Sequence, residues 1–343
     1  MVENAFRFIF LDHPSDSQFN EALKEFNRNL VKGEMHITAR LGLSGKNELG
    51  FKEPFPKIES HDSYIYGVFA TPTDIEDGRS EFFNIQFVMH EHMSLVILWG
   101  PELETRERSN DLFARISRSP SNIAGATDGL SQEPGDIFVQ IAQVIVEDLQ
   151  MLISRLHSAS FREMTQIESQ LFDDEYQSMS HNTSEIYKRI RSLKFEVISI
   201  APTINETQNV FKAIHDRKVV IRPPFTTDDT NNAPFSADQR IWIDDLLMRT
   251  RSLKAQRIGL EQEVHLLYER LESLENRRQT AAQMRFAAVA SILLLPALIV
   301  GFFGQNFEIN PWAKATWSWE ISAVMLGSLA VSQFIYFKKK KWF

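Results

Sequence analysis

The chain has no cysteine in its 343 residues. That excludes disulfides, thiol nucleophiles and thiolate metal sites, and a fold with no disulfide to place is compatible with the cytosol. The sequence also lacks a glycine-rich phosphate loop, a GxSxG elbow and the HExxH spacing of a zinc-binding helix. His90 and His92 alternate as two ligands on one side of a strand would, but no third ligand is in reach, and the pair reads as part of a solvated turn. Acidic clusters such as Glu147-Asp148 and Asp173-Asp174-Glu175 read as solvated helix faces, the rival reading being a cation-attracting surface. No enzyme and no cofactor is expected. With a net charge of -8, no nucleic-acid partner is expected either. The opening MVENAFRFIF carries no basic stretch, long apolar core or cleavage site, so no signal peptide is read there.

What is present is unevenly spread. The mean hydropathy of -0.24 is that of a soluble acidic protein, yet nearly all the membrane-grade sequence lies near the C-terminal end. Two apolar runs, Phe286–Phe303 and Ile321–Phe337, are each about long enough to cross a bilayer as a helix. Arg277, Arg278 and Arg285 precede the first run and Lys338, Lys339, Lys340 and Lys341 follow the second. The connector holds Lys314 as its one cation, beside Glu308 and Glu320. The positive-inside rule then puts both termini in the cytoplasm and the connector outside, in a multi-pass protein of the inner (plasma) membrane. Trp312, Trp317 and Trp319 fall where an outer aromatic belt belongs, and Trp342 marks the inner one. The alternative, a buried helical hairpin in a soluble core, fits poorly with runs of this length bounded by clustered cations.

Upstream the period changes. Leu246, Leu253, Leu260, Leu267 and Leu274 recur every seventh residue, Val264 and Leu271 add a second apolar position, and charges fill the intervals. This is a heptad seam on a long helix that packs on copies of itself or on nearby helices. Ser236 and Gln239 have capping-box spacing at its start, after the turn-rich PPFTTDDTNNAP. No proline follows before Pro296, so one helix is expected from Ser236 into the membrane, roughly 90–100 Å long.

The preceding sequence is mixed. AFRFIFL, SYIYGVFA, FFNIQFVM and MSLVILW read as strands, the last two joined around HEH, and SDSQFNEALKEFNRNL reads as a capped amphipathic helix. A loop rich in Ser, Gly and Pro, SRSPSNIAGATDGLSQEPGD, leads into a helical pattern from Pro134 to His215. The expected plan is an α/β domain over 1–134, a helical region over 135–235, a stalk helix over 236–285 and a first span over 286–304. An extracytoplasmic connector over 305–319, a second span over 320–337 and a basic tail over 338–343 complete it.

Two helices cannot enclose a polar path through lipid, because their outer faces must satisfy hydrocarbon. Conduction therefore requires several copies around an axis, with small or weakly polar residues along one stripe. Counting back from Asn306 at helical spacing gives Gly301, Ala297, Leu294, Ala290 or Ser291, Ala287 and Gln283, with no charge among them. A ring of Asn306 amides would accept hydrogen bonds from the waters around a cation, which suits Mg²⁺ because it dehydrates reluctantly.

These residues carry a resemblance. The CorA magnesium/cobalt transporters bear YGMNF after their first membrane helix, and this chain reads FFGQNFEINPW at that place. Gly304, Asn306 and Phe307 match, with Phe303 for Tyr and Gln305 for Met. The tail YFKKKKWF resembles the basic CorA C-terminus, and the α/β domain, long helices and two spans follow in family order. The resemblance implies an α+β cytoplasmic domain whose long helices continue into two transmembrane helices, assembled as a homopentameric funnel. Gly304-Gln305-Asn306 is then the filter for a hydrated divalent cation. The first span lines the pore down to Thr280, where the family often has Asn. Glu308 and Glu320 would concentrate cations at the mouth. Asp245 matches, by ungapped counting, one position where in CorA acidic residues between subunits bind Mg²⁺ and hold the pore shut, and Asp244 is its neighbour. The other reading of the two is a solvated helix N-terminus, where the dipole favours Asp. Two departures stand out: Pro296 lies five residues before Gly301 where the family proline lies six, and Gln305 replaces Met. The related ZntB zinc branch also varies the middle residue, but its glycine-rich loop is missing here. The expected substrate is Mg²⁺, with Zn²⁺, Co²⁺ and Ni²⁺ as alternatives. The contrasting reading is a membrane-anchored coiled-coil scaffold whose Gly-Gln-Asn is only a turn.

Overall fold

The computed structural model describes residues 7–12, 14–28, 55–61, 63–72, 82–90, 93–99, 111–116, 133–172, 180–220, 234–304 and 317–340. His92, Trp312, Trp342, most of the Ser/Gly/Pro-rich loop, the turn-rich segment before Ser236 and the connector over 305–316 lie outside these residues. The chain divides into two compact units, Met1–Ser169 with Glu175–Leu267, and Gln170–Asp174 with Tyr268–Phe343.

The first unit is built on a five-stranded sheet. Its strands are β1 (Arg7–Asp12), β2 (Lys57–Ser60), β3 (Ile65–Pro72), β4 (Phe82–His90) and β5 (Met93–Trp99), in the order β1-β5-β4-β3-β2. β1 runs parallel to β5 with Arg7 opposite Met93, and the remaining pairs are antiparallel. Successive side chains point to opposite faces. Tyr64, Tyr66, Val68, Val88, Met93, Leu95 and Ile97 therefore share one face, covered by Ala22, Leu23 and Phe26 of α1 (Asp16–Arg28). Ser15 caps α1, its Oγ accepting from the Gln18 N–H at 3.4 Å while its own N–H donates to Gln18 Oε1 at 3.0 Å.

The other face holds Phe69 and Phe87, which pack on Phe138 of α2 (Pro134–Phe172) at ring separations of 5.7 and 5.4 Å. Gly67 allows this, since a Cβ there would stand 2.1 Å from the Phe87 ring. Phe211 and Phe235 extend the aromatic cluster, at 6.0 Å from Phe69 and 5.0 Å from Phe138. Length and composition alone would let Pro134–Ser169 cross a membrane, but 72% of its apolar window is buried within the chain, as befits a core helix.

Two further helices follow, α3 (Ser180–Ser199) and α4 (Ala201–His215). Pro202, in the first turn of α4, separates them because it has no N–H to continue the ladder. α4 ends in a Schellman arrangement. The Lys218 N–H bonds the Ala213 carbonyl and the Arg217 N–H bonds that of Ile214, with Arg217 at φ 55°. α5 (Ala237–Phe303) then runs 67 residues without interruption, through Pro296. Its capping box is present: Ser236 N–H donates to Gln239 Oε1 at 2.9 Å, and Gln239 N–H to Ser236 Oγ at 3.3 Å.

The heptad seam is buried inside one chain. Leu253, Leu260, Val264, Leu267, Leu271 and Leu274 are all at most 3% exposed. Of the two partners weighed for the seam, copies or nearby helices, the chain supplies the second. Along the first unit α2 lies beside α5, with Gln239 Nε2 donating to Asp136 Oδ1 at 2.9 Å and His157 Nδ1 3.3 Å from Glu263. The four expected strands are present. β2, Lys57–Ser60, was not expected: four residues with two charges and a serine carry no alternating apolar signal, and they pair only at the sheet's edge.

The second unit carries the end of α5 and α6 (Ser318–Lys339). In both, only 6% of the apolar window is buried. The covered residues of α5 there are Ala281, Ala288, Ser291, Ile292, Pro296 and Ile299, and those of α6 are Leu326, Leu329, Ala330, Gln333 and Phe337. Each set forms one stripe at spacings of three, four and seven.

Candidate functional site

The predicted stripe of α5 is placed by helical spacing alone. Thr280, Gln283, Ala287, Leu294, Ala297 and Gly301 are all exposed, while Ser291 is half-buried. Leu294 is 69% exposed, and a Cβ added to Gly301 would meet no atom within 4 Å. At about 100° per residue, Leu294 lies about 120° around the helix from Ala288 and Gly301 about 180° from Ile292, so, Ser291 apart, the stripe falls away from the covered one. Its hydroxyls turn inward on the helix: Thr280 Oγ1 donates to the Asn276 carbonyl and Ser291 Oγ to that of Ala287, each at 2.8 Å. Gly304 closes the helix, its N–H bonding the Val300 carbonyl at 2.8 Å, and a side chain there would press within 3.2 Å of that oxygen. Gln305, Asn306 and Glu308 lie outside the described residues. Glu320 is exposed in the first turn of α6, where the helix dipole favours a carboxylate.

Asp244 and Asp245 both have partners within the chain. Asp244 Oδ1 lies 2.7 Å from His215 Nδ1, held there by the cap that ends α4, and Asp245 lies 2.7 Å from Arg249 one turn on. Both pairs are about half-exposed. Among the described residues no three His, Asp or Glu side chains gather closely enough to hold a metal ion. A cation at Asp244 or Asp245 would compete with these partners or draw ligands from elsewhere. His90 ends β4 opposite Met93 and meets Phe26 edge-on at 6.3 Å, so it is packed into the hairpin.

One buried ionic network lies in the first unit, at Asp148. Asp148, 5% exposed, accepts from Thr71 Oγ1 and Arg115 Nη1, each at 2.7 Å, while Arg115 Nη2 reaches Glu147 at 3.3 Å. Burial alone would lower the Arg115 pKa, but the hydrogen bonds and charges of Asp148 and Glu147 outweigh it and the pKa is raised. The network ties the helical segment 111–116 to α2 and β3 and touches none of the stripe residues. The acidic pair Glu147-Asp148 is thus no purely solvated face. Sequence reading also passed over Gln333, a lone amide in the second apolar run. Its Oε1 is buried without a hydrogen-bond partner. A single amide inside a membrane-grade helix is the signal that would have found it.

The comparisons with known proteins agree with this architecture. The chain is 23% identical over 291 residues to the cobalt/magnesium transport protein CorA of Thermotoga maritima, covering 84% of this chain and 72% of that protein. Its fold is similar to the complete CorA magnesium transporter from Methanocaldococcus jannaschii, with a TM-score of 0.70 at 13% identity, over 98% of this chain and 91% of that one. It also resembles the ZntB cytoplasmic domain from Vibrio parahaemolyticus, with a TM-score of 0.50 at 8% identity, over 79% and 88%. The family described as "CorA-like Mg2+ transporter protein" matches residues 36–339, nearly the whole chain. The protein therefore belongs to the CorA-like Mg²⁺ transporter family, a family of ion transporters and not of enzymes.

Proposed function

We propose that several copies of this chain, five by the family resemblance, surround an axis lined by the Thr280–Gly301 stripe and conduct a hydrated divalent cation. Mg²⁺ is the first candidate, and Co²⁺ is named with it for the Thermotoga maritima relative. The observation that carries this reading is the bareness of the stripe. Within one chain its members from Thr280 to Gly301 are uncharged and, Ser291 apart, exposed, on a helix whose opposite side is the covered one. Lipid alone would suit leucines on that face, but within the span the stripe carries Ala287, Ala290, Ala297 and Gly301.

Gly304, Gln305 and Asn306 form the filter at the end of this helix in the proposal, with Glu308 and Glu320 drawing cations to it. Both termini lie in the cytoplasm, and the inner membrane holds the spans. Amides recognise the water shell without a full charge that would hold the ion too long. Asp244 and Asp245 act, if they bind a cation, by favouring the closed state over the open one. The test is dye-reported uptake of Mg²⁺, Co²⁺ and Zn²⁺ by liposomes holding the purified protein. Asn306→Ala removes the amide ring and should abolish uptake while leaving the assembly intact. Wild-type uptake by a correctly assembled Asn306→Ala protein would leave the Gly-Gln-Asn sequence as a turn only.

A further inference from the structure

The end of the hairpin remote from the connector carries five cations that the ion path does not use. Counted back from Gly304, Arg285 is nineteen residues down α5, and counted on from Ser318, Lys338 is twenty down α6. At 1.5 Å per residue these are about 28 and 30 Å, so the two positions fall at one depth. Lys339 and Lys340 adjoin Lys338, and Arg278 stands two turns beyond Arg285 on the same face of α5. All four of Arg285, Lys338, Lys339 and Lys340 are exposed.

Their side of the helix is informative. Arg285 lies about 160–200° around α5 from Gln283, Ala287, Leu294 and Gly301, and shares the row of Ala281, Ala288 and Ile292 that is covered within the chain. The arginines of α5 thus lie on the side of that helix away from the proposed ion path. No carboxylate follows Glu275 on α5, and none follows Glu320 on α6. Among the described residues Arg285, Lys338, Lys339 and Lys340 have no acidic partner. The dipole at the end of α6 accounts for the lysines, but it does not account for two arginines in the interior of a 67-residue helix.

The aromatic residues mark the same depth. Tyr336, 57% exposed, meets Phe337 edge-on at 5.6 Å, and Phe337 is the most buried residue of α6. Seventeen residues separate Tyr336 from Trp319 at the other end, about 26 Å of helix and close to the thickness of a hydrocarbon core. Arg285 and the lysines therefore stand at headgroup level at the foot of the two spans, with Arg278 about 10 Å beyond them along α5.

We infer that Arg285 and Lys338–Lys340 form a binding site for the headgroup phosphate of an anionic phospholipid. Guanidinium groups fork onto phosphate oxygens, lysines add point charges, and the acyl chains lie along the exposed apolar surface of the two helices. On the reading of the stripe as an ion path, a bound phosphate also offsets a collar of positive charge that would repel a divalent cation nearby. The site itself rests only on α5 and α6 being membrane spans, and needs neither transport nor a given orientation.

The test measures lipid, not ion flow. The full-length protein is purified in neutral detergent, offered equal amounts of phosphatidylglycerol and phosphatidylcholine, and its bound phospholipid counted by intact mass. Phosphatidylglycerol should be retained about tenfold over phosphatidylcholine at low salt. The preference should shrink severalfold near 1 M salt, where charges are screened within about 3 Å. Each cation near an anionic headgroup strengthens binding about fivefold, so Arg285→Gln with Lys339→Gln should bring the preference close to unity in a correctly assembled protein. Lys339→Gln alone serves if the double variant does not assemble, and should lower it about fivefold. Equal retention of the two lipids by the wild-type protein would overturn the proposal, as would an unchanged preference in either variant. Displacement of phosphatidylglycerol by millimolar inorganic phosphate would also overturn it, by showing a site for soluble anions.

Discussion

Between Ile243 and Leu274 one face of α5 is sealed, and its residues Ile243, Leu246, Leu253, Leu260, Val264, Leu267, Leu271 and Leu274 are no more than 3% exposed. Between Phe286 and Val300 the same helix leaves Phe286 76%, Leu293 67%, Leu294 69% and Leu298 65% exposed. The apolar content is higher in the second stretch and the burial far lower, so composition does not decide which half is a core. What decides it is the availability of partners within the chain. The first half is flanked by α2 and α4, through His157–Glu263 and His215–Asp244, whereas among the described residues the second is covered along a single stripe. A heptad that looks built for self-assembly is used for the chain's own core, and the half without a heptad is the one that the chain leaves bare.

The sharpest way to break that comparison is to shorten one leucine in each half. Leu260→Ala opens a cavity in a sealed seam and should destabilise the first unit by about 2–5 kcal/mol. Leu294→Ala removes a side chain that touches little of its own chain and should cost that unit nothing measurable. Urea unfolding followed by tryptophan fluorescence reads both. Equal losses would mean that the membrane half is packed within one chain after all. Loss of assembly by Leu260→Ala with an unchanged unfolding midpoint would return the seam to contacts between copies.

Gly301→Leu sharpens the same contrast from the other side. In the single chain the new side chain meets open space, so folding should be unaffected. In an assembly whose axis is lined by this stripe it narrows the path, and uptake should fall on the order of tenfold or more. Unchanged uptake in a well-assembled Gly301→Leu protein would move the axis to another face of α5.

The ion pairs that clip neighbours to the sealed half should matter less. His215–Asp244 is about half-exposed on both sides, and such pairs contribute roughly 0–1 kcal/mol. Asp244→Asn should therefore leave thermal stability nearly unchanged, so that any altered inhibition of uptake by internal Mg²⁺ reports ion binding and not unfolding. A loss comparable to that of Leu260→Ala would show that the pair is structural.

Legibility followed the physics of each element. β3, β4 and β5 could be read because each strand is an apolar run bounded by polar residues, and the capping box at Ser236 because Ser-x-x-Gln is a local pattern. β2 could not, because pairing at an edge leaves no periodic trace in four residues. The seam was legible as a buried face but not as to its partner, since a heptad reports that something covers one stripe and is silent about which chain supplies it. His215 and Asp244 are 29 residues apart and meet only because a Schellman cap, with a non-glycine residue at positive φ, turns the end of α4 toward α5.

The smallest effect belongs to the packed unit. Glu196 on α3 has its pKa raised from the ordinary 4.5, first by burial, with the charge of Arg155 acting the other way. A carboxylate raised in the folded state favours folding fully below its unfolded pKa, and that contribution is lost as pH rises through the folded value. At neutral pH the fold therefore carries a partly desolvated charge that glutamine would not. Glu196→Gln should raise the thermal midpoint at pH 7 slightly, by about 1 °C given how strongly water screens a half-exposed group. The gain should fade as pH falls toward 4.5, where the wild-type side chain takes up its proton. Arg155→Gln removes the opposing charge, so adding Glu196→Gln in that background should give a larger gain than in the wild type. A midpoint lowered by Glu196→Gln at pH 7, or a gain that grew on acidification, would show that Arg155 and not burial governs this carboxylate.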